Sequence, residues 1–412
     1  MPLIRESRLG ATFDRLWAAS LSSNVADGLI GTAAPLLAIT LTRDPLIIAI
    51  YSAMPSLPWL LFAVPIGGLA DRVDRGIALA VVNLTRFFLV LISATAVLLD
   101  RMTLPLLFLV TFLAGICEVF VDTTTQAVLP MILEQDQFER GNARMSMAES
   151  VVQTFVGAPL GGFLFAAAMA LPFFLGVGGY LVAAGMVMLM VTSGRHRLQA
   201  NRGVERQHFI EELKEGIRFV WQHRMVRAIV IFTTTVYIFV NVAHATMALF
   251  VIDEIGVPEA WFGAVLTAGG IGYIGGSAIA PRVSERYGRG PVMAWTMVIS
   301  AGFLVGEALS PNVWVLMAAM AAGSFLIAIW NILLMSSYQV LIPTDMFGRV
   351  HGARRTLVWG LGPIGAVLGG WIASVGGLRV PIVVGGLAVL ILTLVNMPMI
   401  IRLGESTAPA QD

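Results

Sequence analysis

Long uninterrupted apolar runs dominate this sequence and constrain it more than any other feature. Crossing the hydrocarbon core of a bilayer takes ~20 mostly apolar residues per helix, and the chain supplies about twelve such stretches. They fall near residues 14–41, 45–70, 77–99, 103–131, 143–170, 172–193, 225–252, 259–283, 291–309, 312–340, 351–376 and 378–402. No water is available inside lipid to satisfy backbone N–H and C=O groups, so segments of this length must be helices. Barrel strands would be short and alternating. Composition agrees: 57% of the 412 residues are hydrophobic and 12% are charged, where soluble domains carry about 25% charged residues. An integral membrane protein follows.

Where the few charges stand is informative. Arg72 and Arg75 lie between spans 2 and 3, and Arg140 and Arg144 between spans 4 and 5. The stretch from Arg195 to Arg224 follows span 6, Arg282, Arg286 and Arg289 follow span 8, and Arg349, Arg354 and Arg355 follow span 10. The alternate loops hold only Arg43, Arg101 and Arg379. Basic residues accumulate on cytoplasmic loops, so both termini are expected in the cytoplasm, as an even number of spans also requires. Arg5, Arg8 and Arg15 precede the first run, which is too long for a signal peptide and reads as a retained span. The single cysteine, Cys117, excludes a disulfide framework.

One long polar stretch divides the chain into an N-terminal six-helix bundle (1–193), a linker (194–223) and a C-terminal six-helix bundle (224–412). In the linker, Phe209, Leu213, Ile217 and Val220 recur at helical spacing, with Glu211, Glu212, Lys214, Glu215 and Arg218 between them. That pattern suits a helix lying on the membrane face or a solvated linker helix, and the spacing leaves both open. The halves echo one another. DRVDRG (71–76) after span 2 is matched by ERYGRG (285–290) after span 8, and GAPLGG (157–162) in span 5 by AVLGG in span 11. A six-helix unit repeated in parallel is the design of transporters that alternate access around a site near the midplane.

The stretch GGLADRVDRG (67–76) places Asp71, Arg72, Asp74 and Arg75 in one short turn between apolar runs. Such charges cannot enter the bilayer cheaply and hold the turn at its surface. With Gly67, Leu69, Asp71, Arg72 and Arg75 in place, the loop resembles the signature between helices 2 and 3 of the major facilitator superfamily. Asp74 stands at its second glycine and Gly76 at its final basic residue. The stretches SNVADGLIGTAAPLLAITLT and EGIRFVWQHRMVRAIV are similar to the drug-efflux branch that includes macrolide exporters and the enterobactin exporter. The resemblance implies a cytoplasmic latch in which the loop arginine, Arg75, pairs with an acid of helix 4, here Asp122. The second copy, Glu285 and Arg289, has no acid in span 10 to pair with, so the gate is expected to be asymmetric. GAPLGG is a partial match to the helix-5 antiporter motif, with its proline one place late at Pro159. Phe112 stands where the drug-antiporter helix-4 arginine would fall.

Ionisable groups at membrane depth cost ~2.5–3.5 kcal/mol each and are functional candidates by default. Those singled out here are Asp27, Glu118, Asp122, Glu149, His244 and Glu307. Asp27, with Asn24 on the same face, is expected to be a lone cavity carboxylate able to bind a proton, a cationic substrate or both in turn. Glu118 and Asp122 stand one turn apart and repel if both are ionised. Giving Asp122 to Arg75 leaves Glu118 as the protonatable cavity acid. Span 7 offers Asn241 and His244, and span 10 offers Trp330 and Asn331, a mixture suited to a bulky amphiphilic ligand. Glu149 is assigned to the cytoplasmic gate with Asp71, Arg72, Arg75 and Asp122, and Glu307 is expected to reach for water. Gly157 with Gly161, Gly272 with Gly276, and Gly365 with Gly369 have the spacing that lets helices approach closely.

An enzyme would need a constellation that is absent. There is no H-E-x-x-H, no G-x-S-x-G and no P-loop, and the histidines (His196, His208, His223, His244, His351) lack metal-ligand spacing. The expectation is therefore a secondary transporter without cofactor or metal, driven by the proton gradient. It would export bulky lipophilic compounds from the inner membrane of a bacterium as a monomer, with the lipid bilayer, protons and a small-molecule substrate as partners and no nucleic acid. An uptake or facilitative permease on the same fold is the alternative.

Overall fold

The computed structural model describes residues 9–70, 73–134, 137–193, 208–343 and 346–407. Among them are eleven helices long and apolar enough to cross a membrane, and a shorter apolar one, Val152–Ala167. The expected all-helical, twelve-span class is thus met.

Two compact units emerge: residues 1–34 with 62–205, and residues 35–61 with 206–412. Chain order does not draw this boundary. Helix α1 (Ala11–Leu41) contains Pro35, where the missing N–H leaves a weak point in the ladder. Residues after it belong to the second unit. The next span is broken into α2 (Pro45–Ala53) and α3 (Leu57–Ala70) by a turn that contains Pro55, and it too is shared. Asp44 starts α2 by accepting the N–H groups of Leu46 and Ile47, with Pro45 at the first helical position, as N-terminal capping favours.

The first unit continues with α4 (Arg75–Leu98), α5 (Leu104–Ile132), α6 (Phe138–Met147), a π-helical segment (Ala148–Gly157), α7 (Ala158–Ala167) and α8 (Leu171–Thr192). Asp74 of the signature loop caps α4, its carboxylate accepting the Ile77 N–H at 3.0 Å. Helix α4 packs on α8 and α5. Phe13, Leu16, Leu79, Val128, Val187 and Met190 close a buried core at one end. Span 5 is not the single regular helix that its sequence suggests. Pro159 has no N–H to give, and the Ala158 N–H reaches back to Gln153 O, five residues earlier, the π pattern. Here the glycine stripe meets α1. A Cβ on Gly157 would lie 2.7 Å from Gly28 Cα, and one on Gly161 would lie 2.6 Å from Leu29 O.

The second unit adds α9 (His208–Gln222), α10 (Arg224–His244), α11 (Met247–Leu249), a π-helical segment (Phe250–Glu254), α12 (Glu259–Tyr287), α13 (Arg289–Ala308), α14 (Val313–Leu341), α15 (Phe347–Gly360), α16 (Gly362–Gly376) and α17 (Arg379–Ser406). Its packing repeats that of the first. Helix α13 lies on α17 as α4 lies on α8, and Gly365 and Gly369 press on the backbone of Ile238 and Val242 in α10. Gly272 and Gly276 meet the backbone of Ala321 and Phe325 in α14. All three glycine pairs therefore mark close helix contacts. The linker helix α9 is docked on protein: Gly216 faces the Arg349 carbonyl, and Arg349 Nη1 is 2.6 Å from Glu215 Oε2. Helix α2 packs on α16 through Ala49, Ala53, Ala245 and Ala366, and Ser52 Oγ donates to Ala245 O at 3.0 Å, where α10 ends. Arg43, in the turn before α2, pairs with Asp253.

Candidate functional site

The first unit holds a charged cluster at membrane depth. Asp27, on α1, is 18% exposed, and Arg86, on α4, is 3% exposed. Arg86 Nη2 donates to Asp27 Oδ1 at 2.9 Å and Nη1 to Oδ2 at 3.4 Å. Tyr180, buried on α8, donates its hydroxyl to Asp27 Oδ1 at 2.7 Å, and the Arg86 guanidinium lies 4.9 Å from its ring centroid. Three helices converge on one carboxylate. Asp27 is therefore not the lone acid expected from the sequence, because Arg86 neutralises it. The set of intramembrane ionisable residues drawn from the sequence omits Arg86, although the signal was present. A basic side chain in the middle of an apolar run requires an acid or a polar partner there. Phe112, at the position of the drug-antiporter arginine, packs edge-on against Phe62, their centroids 6.1 Å apart. The cation at membrane depth comes from α4 instead.

Glu118, on α5, is half-buried. The charges that act on it are those of Asp27, Arg86, Asp122 and Glu149. Asn24, in contrast, turns its amide onto its own helix, to Ser20 O at 2.8 Å. Of the residues assigned to a gate from the sequence, Arg75 opens α4 with Nη1 3.0 Å from Met131 Sδ, on the helix that carries half-buried Asp122. Glu149 is exposed at the start of the π segment. Asp71 and Arg72 lie outside the described residues.

In the second unit the candidates are spread among separate contacts. His244, at the end of α10, has Nε2 3.0 Å from Glu307 Oε2 on α13. Glu307 is 5% exposed, so it turns inward to the imidazole and does not reach for water. Asn241 donates to Tyr237 O in its own helix at 2.8 Å. Trp330 is buried and packs edge-on against Phe232, centroids 6.0 Å apart, so it is a core residue. Asn331 Nδ2 is 3.5 Å from the Tyr273 hydroxyl of α12.

Several basic residues act in ways the sequence did not indicate. Arg289, buried, donates to Leu333 O at 2.7 Å and Thr407 O at 2.9 Å. The second copy of the signature arginine is thus held by neutral carbonyls. Arg354 and Arg355, counted as loop charges from the sequence, sit within α15, part of a stretch apolar enough to cross a membrane. The Arg354 guanidinium lies 4.9 Å from the Tyr338 ring centroid. That of Arg355 lies 4.2 Å from Trp59 and 4.5 Å from Trp359. Stacking on indole faces offsets part of the desolvation of a cation.

Comparison with known proteins gives this geometry a context. The profile of a major facilitator family described as transmembrane secretion effectors matches residues 8–411. No curated protein matches the sequence. Solved structures share the fold at low identity. A bacterial homologue of the iron transporter ferroportin, inward-facing, aligns with a TM-score of 0.76 at 13% identity over 94% of this chain and 98% of its own. A bacterial homologue of the human lysosomal transporter Spinster, inward-facing and unoccupied, aligns at 0.72 and 13% over 99% and 100%. The nucleoside transporter NupG aligns at 0.69 and 12% over 94% and 98%.

Proposed function

We propose, from the premise that the chain belongs to the transmembrane secretion effector family, that it exports bulky lipophilic or amphiphilic compounds in exchange for protons. Transport on the major facilitator fold is the common ground with the structural relatives. The observation that carries the coupling is the cluster of Asp27, Arg86 and Tyr180, together with half-buried Glu118 on α5. Ionisable groups at membrane depth are costly and concentrate on ion and substrate paths. The cargo reading draws on the scarcity of charged and amide side chains in the spans, set against 20 methionines and 22 phenylalanines in the chain. A cavity of that character favours apolar ligands oriented by a few polar contacts. Access alternates between two six-helix halves in the bacterial inner membrane, as the internal repeat suggests.

Proteoliposomes carrying an imposed inward proton gradient test this reading. Internal pH is followed while a macrolide, a lipophilic cation or a siderophore is added. Proton entry that depends on one of these compounds is the expected result. If no compound moves protons while a small metabolite is taken up without them, export by antiport is wrong and a permease replaces it.

A further inference from the structure

The linker helix α9 is docked by one side only. On that side Gly216 faces the Arg349 carbonyl with no room for a side chain, Val220 is buried, and Glu215 is held by Arg349 at 2.6 Å. Lys214, Arg218 and Trp221 follow one another at spacings of four and three residues, which puts them on a single stripe, opposite Gly216 and Val220. All three are exposed, Trp221 by 57%. Arg224, the first residue of α10, is exposed as well. Among the described residues Lys214, Arg218 and Arg224 have no ion-pair partner; the side chains of Glu211 and Glu212 lie outside them.

The foot of a membrane span fixes the depth of this stripe. His223 Nδ1 accepts the Val226 N–H at 3.2 Å and so starts the span that runs from Arg224 to Glu254. Arg227 Nη1 donates to the Trp221 carbonyl at 2.8 Å, and the Phe219 and His223 rings stack with centroids 5.7 Å apart. Trp221 is thereby pinned three residues before the span begins. An indole at that level belongs among lipid headgroups, where its apolar ring and its N–H are both served. An interfacial helix usually sinks its apolar side into the acyl chains. Here that side is occupied by α15, so the contact left to α9 is the basic stripe.

We propose that Lys214, Arg218 and Arg224, with Trp221 among them, form a contact site for the headgroups of anionic phospholipids in the leaflet on the linker side. The three cations offer N–H donors and positive charge to lipid phosphates, and Trp221 sets the depth. The accumulation of basic residues assigns this side to the cytoplasm, and the cytoplasmic leaflet is the one that carries anionic lipid. Each cation is expected to contribute a factor of about five to the preference for anionic over neutral lipid. Through Glu215 and Gly216, lipid bound here is mechanically tied to α15. Neither the cargo nor the coupling ion enters this assignment.

The full-length protein is reconstituted into phosphatidylcholine nanodiscs that contain brominated phosphatidylcholine or, at equal mole fraction, brominated phosphatidylglycerol. Trp221 emission is read as the difference from Trp221→Phe. Stronger quenching by the phosphatidylglycerol is the expected result. Replacing Lys214, Arg218 and Arg224 together by glutamine should abolish that preference, and Lys214→Arg should keep it. Equal quenching by the two lipids, or a preference that survives the triple variant, overturns the proposal. Quenching by neither lipid, with iodide in the buffer reaching Trp221, also overturns it and gives the stripe to an acidic soluble partner. Lys214 is the only lysine of the chain, so acylation of its amine, followed by mass spectrometry, reads the same contact without the indole. Phosphatidylglycerol should slow that acylation several-fold relative to phosphatidylcholine, and Arg218→Gln/Arg224→Gln should weaken the protection. The same acylation rate in both lipids overturns the proposal.

Discussion

A guanidinium buried in the apolar helix α4 is tolerable only with compensation, and Asp27 with Tyr180 supplies it. Removing one member of such a pair strands the other as an uncompensated charge, which costs about 3–5 kcal/mol, whereas replacing both is often close to neutral. Asp27→Asn and Arg86→Gln are therefore each expected to lower the unfolding free energy by about that amount, and the double variant by much less. Thermal unfolding of the detergent-solubilised protein checks this. A loss for the double variant equal to the sum of the two single losses would mean that the pair does not act as a unit. Asp27 and Glu118 could be singled out from the sequence because a carboxylate in an apolar run is conspicuous. That Arg86 is the partner of Asp27 could not, because the two are 59 positions apart and only folding brings α1 and α4 together.

At the scale of elements, glycine decides how closely helices approach. Gly157 has no space for a methyl group, with the Gly28 backbone 2.7 Å from where it would sit, whereas Gly178 on α8 has nothing within 4 Å. Gly157→Ala should destabilise by about 1–3 kcal/mol through overpacking. Gly178→Ala should stabilise by up to about 1 kcal/mol, since glycine is the weaker helix former. Opposite shifts of the unfolding midpoint are the expected outcome, and shifts of the same sign would contradict the packing of α1 on the π segment. The glycine pairs were legible as close-contact sites because their spacing alone places them on one face. Their partners were not: Gly272 and Gly276 meet α14, and Gly365 and Gly369 meet α10. Nor was the π segment, which depends on how the ladder rearranges around Pro159.

For the whole molecule, the arrangement of basic residues predicts that both termini face the cytoplasm. Cys117 is the only cysteine and is buried, so Cys117→Ser gives a clean background. A cysteine added at either end should react with a membrane-impermeant maleimide only after the cells are opened. Labelling of intact cells at one end would require an odd number of spans, and at both ends the reverse orientation. The number and type of spans, the internal repeat and the helix caps at Asp44 and Asp74 were set by the sequence itself. Hydrophobic length, spacing and capping are local properties that a bilayer reads without reference to fold. Which charges meet was decided only in three dimensions. Asp27 finds Arg86, Glu307 turns inward to His244, Arg289 settles on two carbonyls, and Pro35 passes α1 from one compact unit to the other. Each depends on contacts between distant helices, and those are chosen by packing, which no single run of residues encodes.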